Sequence, residues 1–250
     1  MAPRHDATLV PAYLLHTRPY RETSVIADFF TQHQGRVSGV IRGVRGKKSK
    51  LKSYLQPFSP LLIGWIGKHE LVTVTQLESA GCHHRLKANR LICGLYLNEL
   101  LVRLLPAWQS YSDLFAHYLT AMTSLSDPKT ALQGNLRCFE RQLLSALGYG
   151  VDFRNEAHGG HSIDAKAYYC YAPGEGFQRS SADFQQLGTY LGAWLLAIGQ
   201  DSYGDPEVSQ AAKHLSRIML APLLGTRPLR SRELLIPAFI KQNGEGSLCQ

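Results

Sequence analysis

The chain has 250 residues, 44% apolar and 10% aromatic, enough to build a sizeable core and to exclude global disorder. Its 27 Lys and Arg against 19 Asp and Glu leave a formal charge of +8, which points to nucleic acid, an anionic membrane surface or an acidic protein as partner. The length suits one large domain or two ordinary ones.

Residues 1–80 read as strands. Thr8–Thr17 is largely apolar and ends at Arg18-Pro19. Ser24–Thr31 carries Val25, Ile26, Phe29 and Phe30, and Gly35 opens Arg36–Val44. After a polar stretch, Phe58–Ile66 is apolar, and Leu71–Leu77 alternates Val72 and Val74 with Thr73 and Thr75. Five short β-rich runs separated by breaks predict a small barrel or sandwich. A five-stranded barrel of this size is the OB type, which binds oligonucleotides, although five strands alone do not separate it from an SH3-like barrel.

From about residue 84 the period becomes helical. Leu91, Leu95, Asn98, Val102 and Leu105 share a stripe, and Pro106 ends it. Ser112–Leu125 and Lys129–Leu147 follow as helices, the second stopped by Gly148. Residues 149–179 form an irregular insert, with a short hairpin around Tyr168–Tyr171. Ser181–Gly199 reads as helical again. Asp205-Pro206 opens a last helix to about Leu224, where Gly225 is placed to cap it. The fold class is thus α+β and multi-domain. An N-terminal β-barrel of OB-fold type spans 1–80, and a mainly α-helical domain with its irregular insert spans 81–250.

The five cysteines, Cys82, Cys93, Cys138, Cys170 and Cys249, include no C-x-x-C pair, which fits reduced thiols in a cytoplasmic protein. The start lacks the apolar region of a signal peptide, and no apolar run approaches the roughly 18 residues that span a bilayer.

The sharpest local signal is electrostatic. No acidic residue stands between Asp28 and Glu70, whereas that stretch holds Arg36, Arg42, Arg45, Lys47, Lys48, Lys50, Lys52 and Lys68. Residues 1–80 carry 11 basic against 5 acidic side chains, so +6 of the +8 lies there. A charge run is usually a solvated surface. This one is single-signed, falls between two strands and contains Gly43 and Gly46, which let backbone amides approach phosphate. Arg36, Arg42, Arg45, Lys47, Lys48, Lys50 and Lys52 are therefore the candidate DNA contacts. Tyr20, Tyr54, Phe58 and Trp65 are aromatics near enough in sequence to stack on bases; Phe58 suits a core better, and Trp65 either role.

No enzyme motif is complete. Gly46-Lys47-Lys48-Ser49 resembles the end of a P-loop, but Lys48 stands where Ser or Thr belongs and Ile41 where a glycine belongs. His158-x-x-His161 with Cys170 lacks a fourth metal ligand, and His83-His84 suits a linker. No catalytic residue, cofactor or metal is expected.

Several segments together resemble the RecO family of recombination proteins. They are Leu15–Ser24, Gly35-Arg36-Val37, Arg42-Gly43-Val44-Arg45 with the lysines and Ser49 after it, and Leu55–Phe58. Gly94–Leu101, Arg137-x-Phe139-Glu140, Leu147–Gly150 and Pro228–Leu234 continue in the same order. The resemblance implies an OB-fold followed by a helical domain, and a non-enzymatic role. It implies binding of single- and double-stranded DNA, annealing of complementary strands without ATP, and action with RecR to help RecA replace the single-strand-binding protein SSB. It also implies a cytoplasmic, nucleoid-associated protein whose helical domain holds the acidic SSB C-terminal tail. Arg137 matches a family arginine implicated in that contact, where an arginine fork would meet a carboxylate; an ordinary surface salt bridge is the alternative for it. Many members carry two C-x-x-C pairs in the insert that form a zinc site. Here the first pair's positions read Glu156 and Gly159, Phe177–Ser181 has no cysteine, and Cys170 stands alone, so the insert is expected to be held by packing. The rival reading is an adaptor that chiefly binds an acidic protein tail, or RNA.

Overall fold

The computed structural model describes residues 8–46, 49–67, 69–181 and 188–234. Lys47, Lys48 and Cys249 lie outside the described residues. The chain divides into two compact units: one runs to Pro128 and takes in the chain again from Arg227, and the other is Lys129–Thr226.

The first unit is built on a closed barrel of β1 (Val10–Tyr20), β2 (Ser24–Thr31), β3 (Gly35–Ile41), β4 (Pro60–Ile66) and β5 (Leu71–Ser79). Its order, β1-β2-β3-β5-β4, closes through antiparallel pairing of β4 with β1 and a short parallel pairing of β3 with β5. That is an OB-like barrel. Ala12, Leu14, Val25, Ala27, Phe29, Ile41, Leu61 and Ile63 fill its interior.

β2 is buried at every position, so it is covered outside as well as inside. The cover comes from helices α1 (Ala88–Leu104) and α2 (Ser112–Ser126), which belong to the barrel's unit. Tyr13 and Phe30, on the outer face, meet Phe115 and Tyr118 of α2 at ring-centroid distances of 5.1–6.0 Å. The packing boundary at Pro128 therefore does not coincide with the change of period near residue 80. Phe58 is core, and α1 reaches it through Gly94, where a Cβ would lie 2.9 Å from the Phe58 ring.

A buried polar side chain of α1 joins the helices to the barrel. The β1–β2 register shifts between Leu14 and His16, which leaves strand carbonyls outside the regular ladder. The buried Asn98 amide donates to the Leu14 and Leu15 carbonyls at 3.4 and 3.1 Å, and its Oδ1 accepts from the Tyr118 hydroxyl at 2.6 Å. The returning segment is tied to the same helix. Glu99 accepts from the Arg230 and Ser231 amides and the Ser231 hydroxyl, while Arg103 donates to the Arg227 and Pro228 carbonyls. Burial pushes the Glu99 carboxyl pKa up, but the Ser231 and Arg230 hydrogen bonds outweigh it and hold the value below the ordinary one.

The second unit comprises α3 (Leu132–Ala146), a three-stranded sheet of β6 (Tyr168–Ala172), β7 (Gly176–Arg179) and β8 (Thr189–Leu191), then α4 (Gly192–Gly199) and α5 (Pro206–Leu224). Asp205 caps α5 by accepting from the Glu207 amide at 2.7 Å, with Pro206 at the first turn. The expected hairpin is β6–β7. The insert packs through Phe153, Tyr171 and Phe177, with ring centroids 5.3–5.9 Å apart.

The helix expected over Ser181–Gly199 is corrected. Residues 182–187 lie outside the described residues, Thr189–Leu191 is a strand, and helix begins only at Gly192. Tyr190 is buried there as β8 pairs with β6, and its hydroxyl lies 2.8 Å from His214 Nδ1. A Cβ at Gly192 would stand 1.9 Å from the Asp164 carbonyl, so the strand-to-helix corner needs glycine.

Replacing Asn98 by Leu would take the amide donor from two buried strand carbonyls and an acceptor from the Tyr118 hydroxyl, with a cost of about 2–4 kcal/mol. Urea unfolding followed by circular dichroism is expected to show a lower midpoint of that order for Asn98→Leu.

Candidate nucleic-acid interface

Between β3 and β4 the chain crosses one end of the barrel. Val44, Leu51, Tyr54 and Leu55 turn inward and pack on the barrel core, while Arg42, Arg45, Lys50 and Lys52 are exposed. Lys50 and Lys52 sit on a single 3-10 turn, Lys50–Ser53, which sends Leu51 in and both ammonium groups out. The alternation of apolar anchor and cation is what makes the loop both fixed and positive. Its first turn is pinned to the β1–β2 turn. The Arg45 amide donates to the Thr23 carbonyl at 2.9 Å, and its guanidinium donates to the Arg21 carbonyl at 3.1 Å. Arg18 and Arg21 are exposed at the end of β1 and in that turn, so they join the cationic end although the charge run in the sequence begins later.

Arg36 stands apart. Its Nε donates to the Leu105 carbonyl at 2.9 Å, and its guanidinium lies 3.7 Å from Asp28, whose carboxylate also accepts from Ser38 at 2.5 Å. That guanidinium joins β3 to the end of α1 instead of facing solvent. Of the candidate stacking aromatics, Tyr54 and Trp65 pack on the barrel core and Phe58 is buried. Tyr20 lies beside the β1–β2 turn, and Tyr54, which directly follows the Lys50–Ser53 turn, is half-buried.

The second unit holds a cleft lined by Arg137, Leu144, Val151, Phe153, Leu215 and Met219. Arg137 is only 7% exposed, and it pairs with Glu140, fully buried, at 2.6 Å. Its Nε is buried with no acceptor among the described residues. Arg137 thus does sit in an ion pair, but in a buried one, where each unmet hydrogen bond is costly. Lys213 and Arg217 on α5 add charge nearby. The Lys213 ammonium pKa is pushed down by burial first, then by repulsion from Arg217 and Arg137. Arg137 is itself paired with Glu140, so the positive charge left over near the largely apolar lining is that of Lys213 and Arg217. Sequence reading found Arg137 only through resemblance; the four-residue spacing of Lys213 and Arg217 on one helix was the signal available for the others.

Arg141 lines the same cleft but has its own partner, its guanidinium forked onto Asp201, which also accepts from the Tyr203 hydroxyl at 3.0 Å. His158 and His161 are exposed, each beside a single glutamate. Among the described residues no group of three or more His, Cys, Asp or Glu is placed to hold a metal ion.

Comparison with known proteins agrees with this architecture. The family model "Recombination protein O N terminal" matches residues 7–83, and "Recombination protein O C terminal" matches residues 85–233. The chain belongs to the RecO family. It is 43% identical to the DNA repair protein RecO of Glaesserella parasuis over 222 residues, 89% of this chain and 92% of that one. It is 43% identical to the Haemophilus influenzae protein of the same name over 92% of this chain and 96% of the relative. For the Cellvibrio japonicus protein the figures are 42%, 92% and 97%. The two RecO segments meet at residues 83 and 85, where the sequence period changes, and not at the packing boundary near Pro128.

Proposed function

We propose that this chain is a DNA-binding mediator of recombinational repair that acts without catalysing a covalent step. It binds single- and double-stranded DNA at the cationic end of the barrel and anneals complementary strands without ATP. With RecR it helps RecA replace SSB. It works in the cytoplasm on nucleoid DNA; among the described residues no helix is long and apolar enough to cross a membrane.

The observation that carries this reading is the loop over the barrel end. Arg42, Arg45, Lys50 and Lys52 face solvent on a segment anchored by four apolar side chains, within a stretch free of acid from residue 29 to 69. Cations held in place on a rigid support neutralise phosphates on two strands at once and lower the repulsion that keeps the strands apart. Lys47 and Lys48 belong to the same run.

The Arg42→Ala, Arg45→Ala double variant is expected to lower the log–log salt slope of binding. The drop is about 0.9 unit per lost contact on duplex DNA and about 0.7 on single strands. An unchanged slope in a titration from low to high salt would place the DNA surface elsewhere.

A second partner follows from the helical cleft. The buried Nε of Arg137, which meets no acceptor among the described residues, shares a cleft lining with Leu144, Phe153 and Met219, which favours a ligand that brings both a carboxylate and an apolar residue. We assign it the acidic C-terminal tail of SSB, whose delivery of the protein to coated DNA would complete the mediator role. In the adaptor reading this tail is the main ligand. A tail peptide with a free C-terminal carboxylate is expected to bind about tenfold or more tightly than its amidated twin. Equal affinity of the two peptides would remove the carboxylate from the contact.

A further inference from the structure

We infer that the β1–β2 turn carries a stacking site for an unpaired nucleobase, formed by the Arg21 guanidinium lying on the Tyr20 ring, so that this end of the barrel selects single strands over duplex. The inference rests on the DNA-binding reading and adds a residue pair and a strand preference to it.

The geometry is specific. Arg21 Cζ lies 5.2 Å from the Tyr20 ring centroid, within cation–π range. Arg21 also has φ +51°, a left-handed conformation that glycine or asparagine adopts at lower cost. The turn does not rely on the Arg21 side chain to hold that conformation. The Arg45 guanidinium donates to the Arg21 carbonyl, and the Arg45 amide donates to the Thr23 carbonyl. The backbone is therefore clamped from β3's side, while the Arg21 side chain is exposed with only the ring beneath it. Glu22, the acidic residue of the turn, forms no ion pair with it among the described residues.

A guanidinium is planar and weakly hydrated on its faces. The central carbon of the Arg21 guanidinium lies over the Tyr20 ring, and the side turned away from the ring is exposed. Bases stack on arginine planes as they do on aromatic rings, but a base inside a duplex has both faces covered by its neighbours. Only an unpaired base can complete a ring–guanidinium–base stack. Arg42 and Arg45 stand beside the turn to take the adjoining phosphates. Phe58 is buried and Tyr54 and Trp65 are half-buried against the core, whereas Tyr20 and Arg21 present a flat surface in the exposed turn.

The test uses the full-length protein and three labelled probes of equal length: an ordinary single strand, the same strand with every base removed, and a duplex. The abasic strand keeps the phosphates and removes the stacking partner. The wild type is expected to bind the ordinary strand about tenfold more tightly than the abasic one. Arg21→Lys keeps the charge but loses the plane, and Tyr20→Leu keeps apolar bulk but loses the ring. Both are expected to narrow that ratio several-fold. A wild-type ratio near one, or a ratio in Arg21→Lys equal to the wild type's, overturns the stacking site and leaves phosphate binding standing. Failure of the wild type to bind any of the three probes overturns the DNA-binding reading and this inference with it.

Discussion

The carboxamide of Asn98 holds the first unit together. It fills the irregularity in β1 between Leu14 and His16, taking two strand carbonyls with one amide and receiving the Tyr118 hydroxyl on the other side. Without such a group, polar backbone would face the apolar underside of α1, at a cost comparable to several lost hydrogen bonds. The shift also changes which way β1 points. Tyr13, Leu14 and Leu15 are buried in succession, and His16 to Pro19 are then exposed. The strand leaves its helical cover there and runs out to the β1–β2 turn. A core interaction thereby determines where Arg18, Tyr20 and Arg21 are presented, beside the loop that carries Arg42 and Arg45.

The two proposed binding places follow opposite electrostatic designs. At the barrel end the cations are exposed and separated by apolar anchors, so the field is broad and screened by salt. That suits a polymer of phosphates bound in many registers. In the helical unit the positive charge is partly buried above an apolar floor, and Arg137 retains a donor that meets no acceptor among the described residues. Burial sharpens the demand for one carboxylate in one orientation. As proposed, the first place would accept any base sequence, and the second would take a chain terminus of defined chemistry.

Much of the fold was legible because the periods are clean. The alternation of Leu71–Leu77, the helix after residue 84 and the Asp205-Pro206 start all correspond to observed elements, but α1 buries Cys93, Leu97, Asn98 and Leu101 and leaves Leu91 of the expected stripe exposed. Where the sequence misled, a tertiary constraint outweighed local pattern. Tyr190 between Gly188 and Gly192 reads as part of an apolar helix, yet the sheet claims it as a strand residue. The full burial of β2 shows as an apolar run, but the run does not say that the cover is α1 and α2 in place of a second sheet. The candidate site was legible as charge and not as geometry. Composition marks Arg36 and Arg42 alike, and only the structure turns Arg36 to Leu105 and leaves Arg42 exposed. For Arg137 the i,i+3 spacing to Glu140 is visible in the sequence, but not that the pair is buried at the edge of a cleft.

In the proposed role, one chain pairs DNA strands at its barrel while its helical unit takes the tail of the protein that coats them. The direct measurement is the annealing rate of two complementary oligonucleotides coated with SSB, without ATP, in parallel with SSB lacking its C-terminal tail. Strong acceleration with intact SSB, and little with the tail removed, is the expected result. No acceleration with either form, under conditions where the tail peptide is bound, would contradict the mediator role and leave an adaptor in its place.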